Sequence, residues 1–144
     1  MLRTALKHKK GFTLIEMLVV LGIIAILAAI VLVAVNPGRQ FASARDTQRR
    51  SDLYSITSAV YQYAVENNGN TPTSITSAPT HIGSGDGLVD LSTDLAPTYI
   101  AAIPFDPLTG SDTDTQYVIF KDTITARVVA SASGELTPNI TITR

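Results

Sequence analysis

The sequence contains the stretch Gly11-Phe12-Thr13-Leu14-Ile15-Glu16, which directly precedes an apolar run. This run, residues 17–35, contains no charged or strongly polar side chain. A helix rises about 1.5 Å per residue, so a run of this length reaches roughly 28 Å. That is close to the roughly 30 Å thickness of the hydrocarbon core of a bilayer. The sequence therefore predicts a helix that can span a membrane once.

The order of the segments around this run is unusual for an exported protein. In an ordinary secretory signal the cleavage site follows the apolar region, so cutting removes the apolar part. Here Gly11 stands between the basic residues and the apolar run. A cut after Gly11 would leave the membrane helix in the product, would create a free amine on Phe12, and would place Glu16 about one helical turn from the new N-terminus. The basic residues before Gly11 are Arg3, Lys7, Lys9 and Lys10.

Glu16 is the one acidic residue beside the apolar run. A charged side chain at the bilayer centre costs roughly 2.5 to 3.5 kcal/mol, and less near the end of a helix. Attraction to an opposite charge about 4 Å away would offset this cost by about 4 kcal/mol at an effective dielectric constant near 20. The amine of Phe12, from the same chain or from a neighbouring subunit, could supply that charge. Alternatively, Glu16 reaches the aqueous interface of a plain single-span anchor, and the residues alone leave both interpretations open.

The Gly-Phe-Thr-Leu-Ile-Glu motif, with basic residues before it and an apolar run after it, resembles the class III leader of type IV pilins and of the pseudopilins of type II secretion. The resemblance covers roughly residues 7–35. It implies that a prepilin peptidase cuts after Gly11 and methylates the new N-terminal Phe12. It also implies that Glu16 helps subunits dock head-to-tail into a helical filament.

Length and charge agree with a small exported subunit. The chain has 144 residues and no cysteine, so the disulfide that closes the C-terminal region of many pilins is impossible here. Four of the 11 Lys and Arg lie in the leader, and the remaining seven oppose 12 Asp and Glu. The mature chain is therefore acidic, which makes DNA an unlikely partner. We divide the chain into a leader, 1–11, a transmembrane and assembly half of the helix, 12–36, and a half-helix with a globular sheet domain, 37–144.

Basic residues near the span do not decide its orientation. Four precede it and four follow it, a near tie by the positive-inside rule. The resemblance implies a single-pass protein of the cytoplasmic membrane with a cytoplasmic N-terminus before assembly, and an extracellular or periplasmic filament afterwards. The partners it implies are further copies of the chain, the prepilin peptidase, the inner-membrane assembly machinery and the bilayer.

Beyond the span, the sequence predicts a second helical stretch over 39–67. At Asn36-Pro37-Gly38 either one helix kinks or one helix ends and another starts, and we favour a kinked continuous helix. The second half of the stretch repeats apolar residues at helical spacing, so this half should pack on a sheet. The repeating residues are Leu53, Ile56, Val60 and Ala64.

An arginine cluster in the first half of this helix has three interpretations. Arg45, Arg49 and Arg50 could form a solvated face, partly paired with Asp46 and Asp52. They could instead contact acidic groups of the next subunit, or bind DNA. The sequence does not choose among these.

The remainder of the chain predicts a loop followed by a small sheet. Residues 70–98 are rich in Thr, Ser, Pro and Gly and should form a loop that contributes little to a core. An extended segment follows, with Ile100, Ile103 and Phe105 holding it in place. Strands are predicted over 116–121, 124–131 and 136–143. The predicted fold class is thus α+β and pilin-like, with a long N-terminal helix packed on a small antiparallel sheet.

The sequence offers little for catalysis. It has two histidines and no cysteine, so His-based triads, Cys nucleophiles and zinc clusters are unsupported, and we expect no enzyme and no catalytic residue. Asp112 and Asp114 in the loop 110–114 are candidate calcium ligands, since calcium prefers several oxygens. The loop lacks the further spaced carboxylates of a full calcium loop, which favours an ordinary solvated turn. No other cofactor is expected.

Two classes of function follow from these observations. The first is a structural subunit of a type IV pilus or pseudopilus, polymerised through its N-terminal helix. The second is a minor pilin or membrane-anchored surface binding module, for adhesion or DNA uptake, that does not form the bulk of a filament.

Overall fold

A computed structural model of the protein describes residues 11–144. The predicted leader, 1–11, therefore lies outside the described residues except for Gly11. The chain divides into two compact units, one that ends at Pro37 and one that covers Gly38–Arg144.

Helix α1, Leu14–Val35, is the predicted apolar helix. An 18-residue stretch of it has a mean hydropathy of 3.4, and the helix is long and apolar enough to cross a membrane once. None of its side chains is buried among the described residues. Because the apolar side chains cover every side of the helix, it has no single stripe that would face a core.

One residue separates α1 from helix α2, Pro37–Glu66. Asn36 adopts the left-handed conformation (φ 45°, ψ 77°), which Asn tolerates better than most residues. Pro37 then starts α2, where the missing N–H of proline costs no hydrogen bond. The backbone thus follows the second interpretation of Asn36-Pro37-Gly38, in which one helix ends and another starts, and our preference for one continuous helix was wrong.

The apolar stripe of α2 packs on the sheet as predicted. Leu53 and Ile56 are fully buried, and Val60 and Ala64 are nearly so. They join the core with Tyr117, Ile119 and further residues of the strands. Gly69, at φ 85°, then donates its N–H to the carbonyl of Ala64 and so closes the end of α2.

The sheet has four antiparallel strands, β1 Thr80–His81, β2 Tyr117–Lys121, β3 Val128–Ala132 and β4 Ile140–Thr143, which lie side by side in this order. The predicted α+β, pilin-like arrangement of a long N-terminal helix on a small antiparallel sheet is therefore confirmed. A short helix, α3 Ser92–Leu95, lies between β1 and β2 in the chain.

Two of the predicted strands begin too early, and aspartate side chains explain both errors. The carboxylate of Asp122 accepts the N–H groups of Ile124 and Thr125, so residues 122–127 form a turn and β3 starts at Val128. The carboxylate of Asp46 accepts the N–H groups of residues 135–137, so β4 starts at Ile140 and not at 136. In both places the backbone N–H groups donate to an aspartate carboxylate, so they are not available for hydrogen bonds between strands.

The expectation that residues 70–98 contribute little to the core was wrong. Six apolar side chains of this segment are buried, and β1 and α3 lie within it. In the next segment Ile100 and Ile103 pack against the core as predicted, whereas Phe105 is 45% exposed. The buried apolar side chains of the segment are Pro72, Ile75, Ile82, Val89, Leu91 and Leu95.

Candidate functional site

The predicted processing site lies in exposed, non-helical backbone. Gly11 and Phe12 precede α1, and the side chain of Phe12 is 81% exposed. A Cβ added at Gly11 would meet no described atom within 4 Å. The Gly11–Phe12 peptide bond is therefore open to a peptidase as far as the described residues show.

Thr13 and Glu16 form a capping box at the start of α1. The Thr13 hydroxyl accepts the Glu16 N–H at 3.3 Å, and Glu16 Oε2 accepts the Thr13 N–H at 2.7 Å. The same oxygen also accepts the Thr13 hydroxyl at 2.7 Å. Our sequence reasoning missed this box, although Thr-x-x-Glu before an apolar run is its usual signal. The box holds the Glu16 carboxylate at the N-terminal end of the helix, and Glu16 Oε1 makes no hydrogen bond to another described residue.

A buried ion cluster connects α2 to two distant segments. Arg49, only 2% exposed, places its guanidinium against Asp106, with Nε to Oδ2 at 2.5 Å and Nη2 to Oδ1 at 3.3 Å. Its Nη1 donates to Asp46 at 2.8 Å and to Glu135 at 3.0 Å. Arg45 donates to both oxygens of Glu135 at 2.6 Å. We call these five residues the Arg49 cluster.

The carboxylates of the Arg49 cluster also organise the backbone. Burial disfavours the charged form of Asp46, but the N–H groups of residues 135–137 and the guanidinium of Arg49 outweigh it and lower the pKa of Asp46 to about 2. Burial likewise opposes ionisation of Asp106, yet Arg49 and the N–H groups of residues 108 and 109 lower its pKa to about 2. Hydrogen bonds from Arg45 and Arg49 lower the pKa of Glu135 to about 2.

The structure therefore places the three predicted arginines in different environments. The predicted pairing with Asp46 is confirmed for Arg49, but Arg49 is buried and does not belong to a solvated face. Asp52 is bonded to Gln48 and to the Tyr117 hydroxyl and to no arginine. Arg50 is exposed. Arg49 is consequently enclosed within its own chain.

The Arg49 cluster predicts a loss of stability in acid. The pKa values of Asp46 and Asp106 are lower in the folded chain than their ordinary value of 3.8, so the unfolded chain binds more protons as the pH falls. The stabilisation is complete above about pH 5 and is lost toward pH 2, by about 2 kcal/mol for each carboxylate. Unfolding of the full chain in detergent, measured between pH 7 and pH 2, checks this. Asp46→Asn should be less stable at pH 7 and less sensitive to acid, and an unchanged acid profile would contradict the prediction.

Of the two candidate calcium ligands, Asp114 is engaged in hydrogen bonds within its own turn. The Asp114 carboxylate contacts His81 Nδ1 at 3.0 Å and accepts the N–H and the side-chain amide of Gln116. Among residues 11–144 no group of three or more Asp, Glu, His or Cys side chains is placed to hold a metal ion. The described contacts of Asp114 are those of a hydrogen-bonded turn.

Calcium binding at Asp112 and Asp114 stays a prediction that a titration can check. A calcium site would raise the melting temperature of the protein as calcium is added, because the ion binds the folded state. The rise should disappear in Asp112→Asn, which removes one ligand charge. If added calcium leaves the melting temperature of the original protein unchanged, the prediction of a calcium site at Asp112 and Asp114 is wrong.

The described residues define a class of protein by two features: an apolar helix long enough to cross a membrane, and an exposed non-helical segment directly before it. Residues 6–32 match the family described as the prokaryotic N-terminal methylation motif, which is the class III prepilin leader of type IV pilins and pseudopilins. The match over these residues supports a pilin-like or pseudopilin-like prepilin, and the family of that motif is structural. With one apolar N-terminal helix, it fits anchoring in a membrane before assembly. No curated protein and no solved structure matches the chain.

Proposed function

We propose that this protein is a structural subunit of a type IV pilus or pseudopilus. The chain is cut after Gly11 by a prepilin peptidase, methylated at Phe12, and polymerised through α1 into a helical filament by an inner-membrane assembly machine. The observation that carries the proposal is the methylation motif over residues 6–32, which runs directly into a helix with no buried side chain.

The unburied helix supports assembly because an apolar helix of this kind needs surroundings that cover all of its sides. A bilayer provides them before assembly, and a bundle of identical helices provides them in a filament core. Small residues spaced four apart, such as Ala25 and Ala29, allow helices to approach closely where packing drives their association. The same helix can therefore serve as an anchor and then as the centre of a polymer.

Glu16 supports docking between subunits. Its carboxylate is held at the start of α1 by Thr13, and cleavage after Gly11 creates an amine on Phe12. The Phe12 amine of an incoming subunit would meet the preordered Glu16 of its neighbour. Their attraction would offset the cost of bringing the carboxylate among apolar helices.

The mass of the mature N-terminal peptide tests the processing step. We expect protein extracted from sheared surface filaments to begin at Phe12 and to carry one methyl group on its amine. Peptide mass spectrometry measures both features at once. Material from cells without the prepilin peptidase is the control and should retain residues 1–11. Filaments built from chains that keep these residues would contradict the proposal.

A further inference from the structure

A cavity of about 640 Å³ lies between α2 and the end of the sheet where β2 turns into β3. Its volume is within the range of about 300 to 1,000 Å³ that is common for small-molecule sites. One wall is formed by α2, whose contributing residues are three, four and seven positions apart and therefore share one face of the helix. These residues are Thr57, Val60, Tyr61 and Ala64.

The cavity has an apolar floor. Val60, Ala64 and Val128 line it and are buried in the chain, so only the cavity gives access to them. Tyr61 is 57% exposed and stands at the rim. An apolar group that rests on this floor would be removed from water, which contributes hydrophobic stabilisation to its binding.

The remaining wall is cationic. Residues 12–144 contain seven Lys and Arg, and three of these line the cavity: Lys121, Arg127 and Arg144. Among the residues that the structure describes, no Asp or Glu side chain lines it. A main-chain carboxylate at Arg144 would reduce the charge of the lining but leave it positive. The chain is acidic as a whole, yet its largest described cavity carries the opposite charge.

The three cations differ in their partners. Arg144 is held by Tyr54, whose hydroxyl accepts its Nη2 at 2.7 Å and whose ring centre lies 4.7 Å from its guanidinium carbon. Lys121 and Arg127 form no ion pair with a described residue. Two charges of the lining are therefore available to a ligand.

The one carboxylate in the turn between β2 and β3 does not neutralise this wall. Asp122 lines a separate cavity of about 220 Å³, and its carboxylate accepts the N–H groups of Ile124 and Thr125. Lys121 lines both cavities, whereas Arg127 lines the larger one and not the smaller one. The carboxylate is thus engaged in shaping the turn and lies outside the lining of the larger cavity.

Hydrogen bonds of the backbone fix the cationic wall to the sheet. The N–H of Asp122 donates to the Arg127 carbonyl, and the N–H of Ala126 donates to the Asp122 carbonyl. Val128 and Arg144 exchange both of their backbone hydrogen bonds. The backbone of the wall is therefore ordered before a ligand binds, which lowers the entropic cost of binding.

We propose that this cavity binds an organic anion. The apolar body of the ligand packs on Val60, Ala64 and Val128, and its phosphate or carboxylate group binds Lys121 and Arg127. A cleft of one charge sign with walls of low dielectric constant attracts ions of the opposite sign. Hydrogen bonds from ammonium and guanidinium groups to an anionic oxygen are also stronger than those between neutral groups. Binding of this kind is a property of the single chain, so it holds or fails separately from the proposed filament.

Calorimetric titration of the full chain in detergent tests the site with three probes: phenyl phosphate, benzoate and inorganic phosphate. We expect phenyl phosphate or benzoate to bind, and the one that binds identifies the preferred anionic group. Inorganic phosphate has no apolar body and should bind at least about tenfold more weakly than the better of the two. If neither organic anion binds, or if inorganic phosphate binds as tightly, the proposal is overturned.

Variants that remove one charge locate the bound anion. Lys121→Gln and Arg127→Gln should each weaken binding of the organic probe about tenfold, because each removes a charge-assisted hydrogen bond. Arg50→Gln is the matched control, since it removes the same charge from an exposed residue of α2 that does not line the cavity. It should leave binding unchanged. Equal weakening in all three variants would indicate attraction to the overall charge of the chain and overturn the site, and so would undiminished binding in Lys121→Gln and Arg127→Gln.

Discussion

Replacing Glu16 with Ala is expected to abolish filament assembly while membrane insertion continues. The substitution removes the one carboxylate of α1, and with it the proposed partner of the Phe12 amine. An attraction of about 4 kcal/mol at 4 Å corresponds to a loss of roughly a thousandfold in the docking equilibrium. The measurement is the amount of protein in the sheared surface fraction relative to the amount in the membrane fraction.

The capping box provides matched controls for this prediction. Glu16→Gln keeps an oxygen that can accept the Thr13 N–H, but it removes the charge. Thr13→Ala keeps the charge but removes the hydroxyl, which costs about 1 kcal/mol of helix stability. If the charge is what docks subunits, Glu16→Gln should be nearly as defective as Glu16→Ala, and Thr13→Ala should still assemble. The reverse order would show that Glu16 acts only as a cap, and normal filaments of Glu16→Ala would contradict the proposed function.

Features encoded by neighbouring residues could be predicted from the sequence. The processing motif, the span and the stripe on α2 each depend on residues a few positions apart, so spacing alone reveals them. The capping box was equally local and was missed only because Glu16 was considered for its charge and not for its distance from Thr13. The candidate site at the N-terminus was therefore almost fully accessible to sequence reasoning.

The Arg49 cluster could not be predicted in this way. Arg49 meets Asp106 across 57 positions and Glu135 across 86, and no periodic pattern links such residues. A long-range contact of Asp46 in this cluster also caused one of the two errors in strand boundaries, since the Asp46 carboxylate accepts the N–H groups that precede β4. A run of β-branched residues predicts a strand, but a distant carboxylate can accept the N–H groups of that run, and the strand then begins later than the pattern predicts.

The Arg49 cluster also explains how the segment between β3 and β4 is attached without a cysteine. Many pilins close their C-terminal region with a disulfide, and this chain has none. Here Asp46 and Arg45 of α2 bind the backbone and side chain of the segment around Glu135. Gly134 permits the close approach, because a Cβ at that position would collide with the Thr137 carbonyl and with Asp46. Charge-assisted hydrogen bonds thus make the connection between this segment and the helix.

Replacing Arg49 with Met is expected to destabilise the globular unit by about 3 to 5 kcal/mol. The change leaves Asp46 and Asp106 buried without their shared cation, and removing one partner from a buried ion cluster has a cost of that size. For a unit of this length the melting temperature should fall by about 15 °C or more. Tyrosine fluorescence can follow the unfolding of the full chain in detergent, because all five tyrosines lie in residues 38–144.

Arg45→Met is the matched control, since Arg45 is on the same helix and pairs with the same Glu135. Its side chain remains 32% exposed, so water can solvate Glu135 when the cation is lost. Exposed ion pairs contribute up to about 1 kcal/mol, and the melting temperature should fall by only a few degrees. A large effect of Arg49→Met beside a small effect of Arg45→Met would locate the stabilisation in the buried pairs. Equal effects would mean that the ion pairs with Glu135 provide most of the stabilisation by the Arg49 cluster, because Glu135 is the one acidic partner that both arginines share.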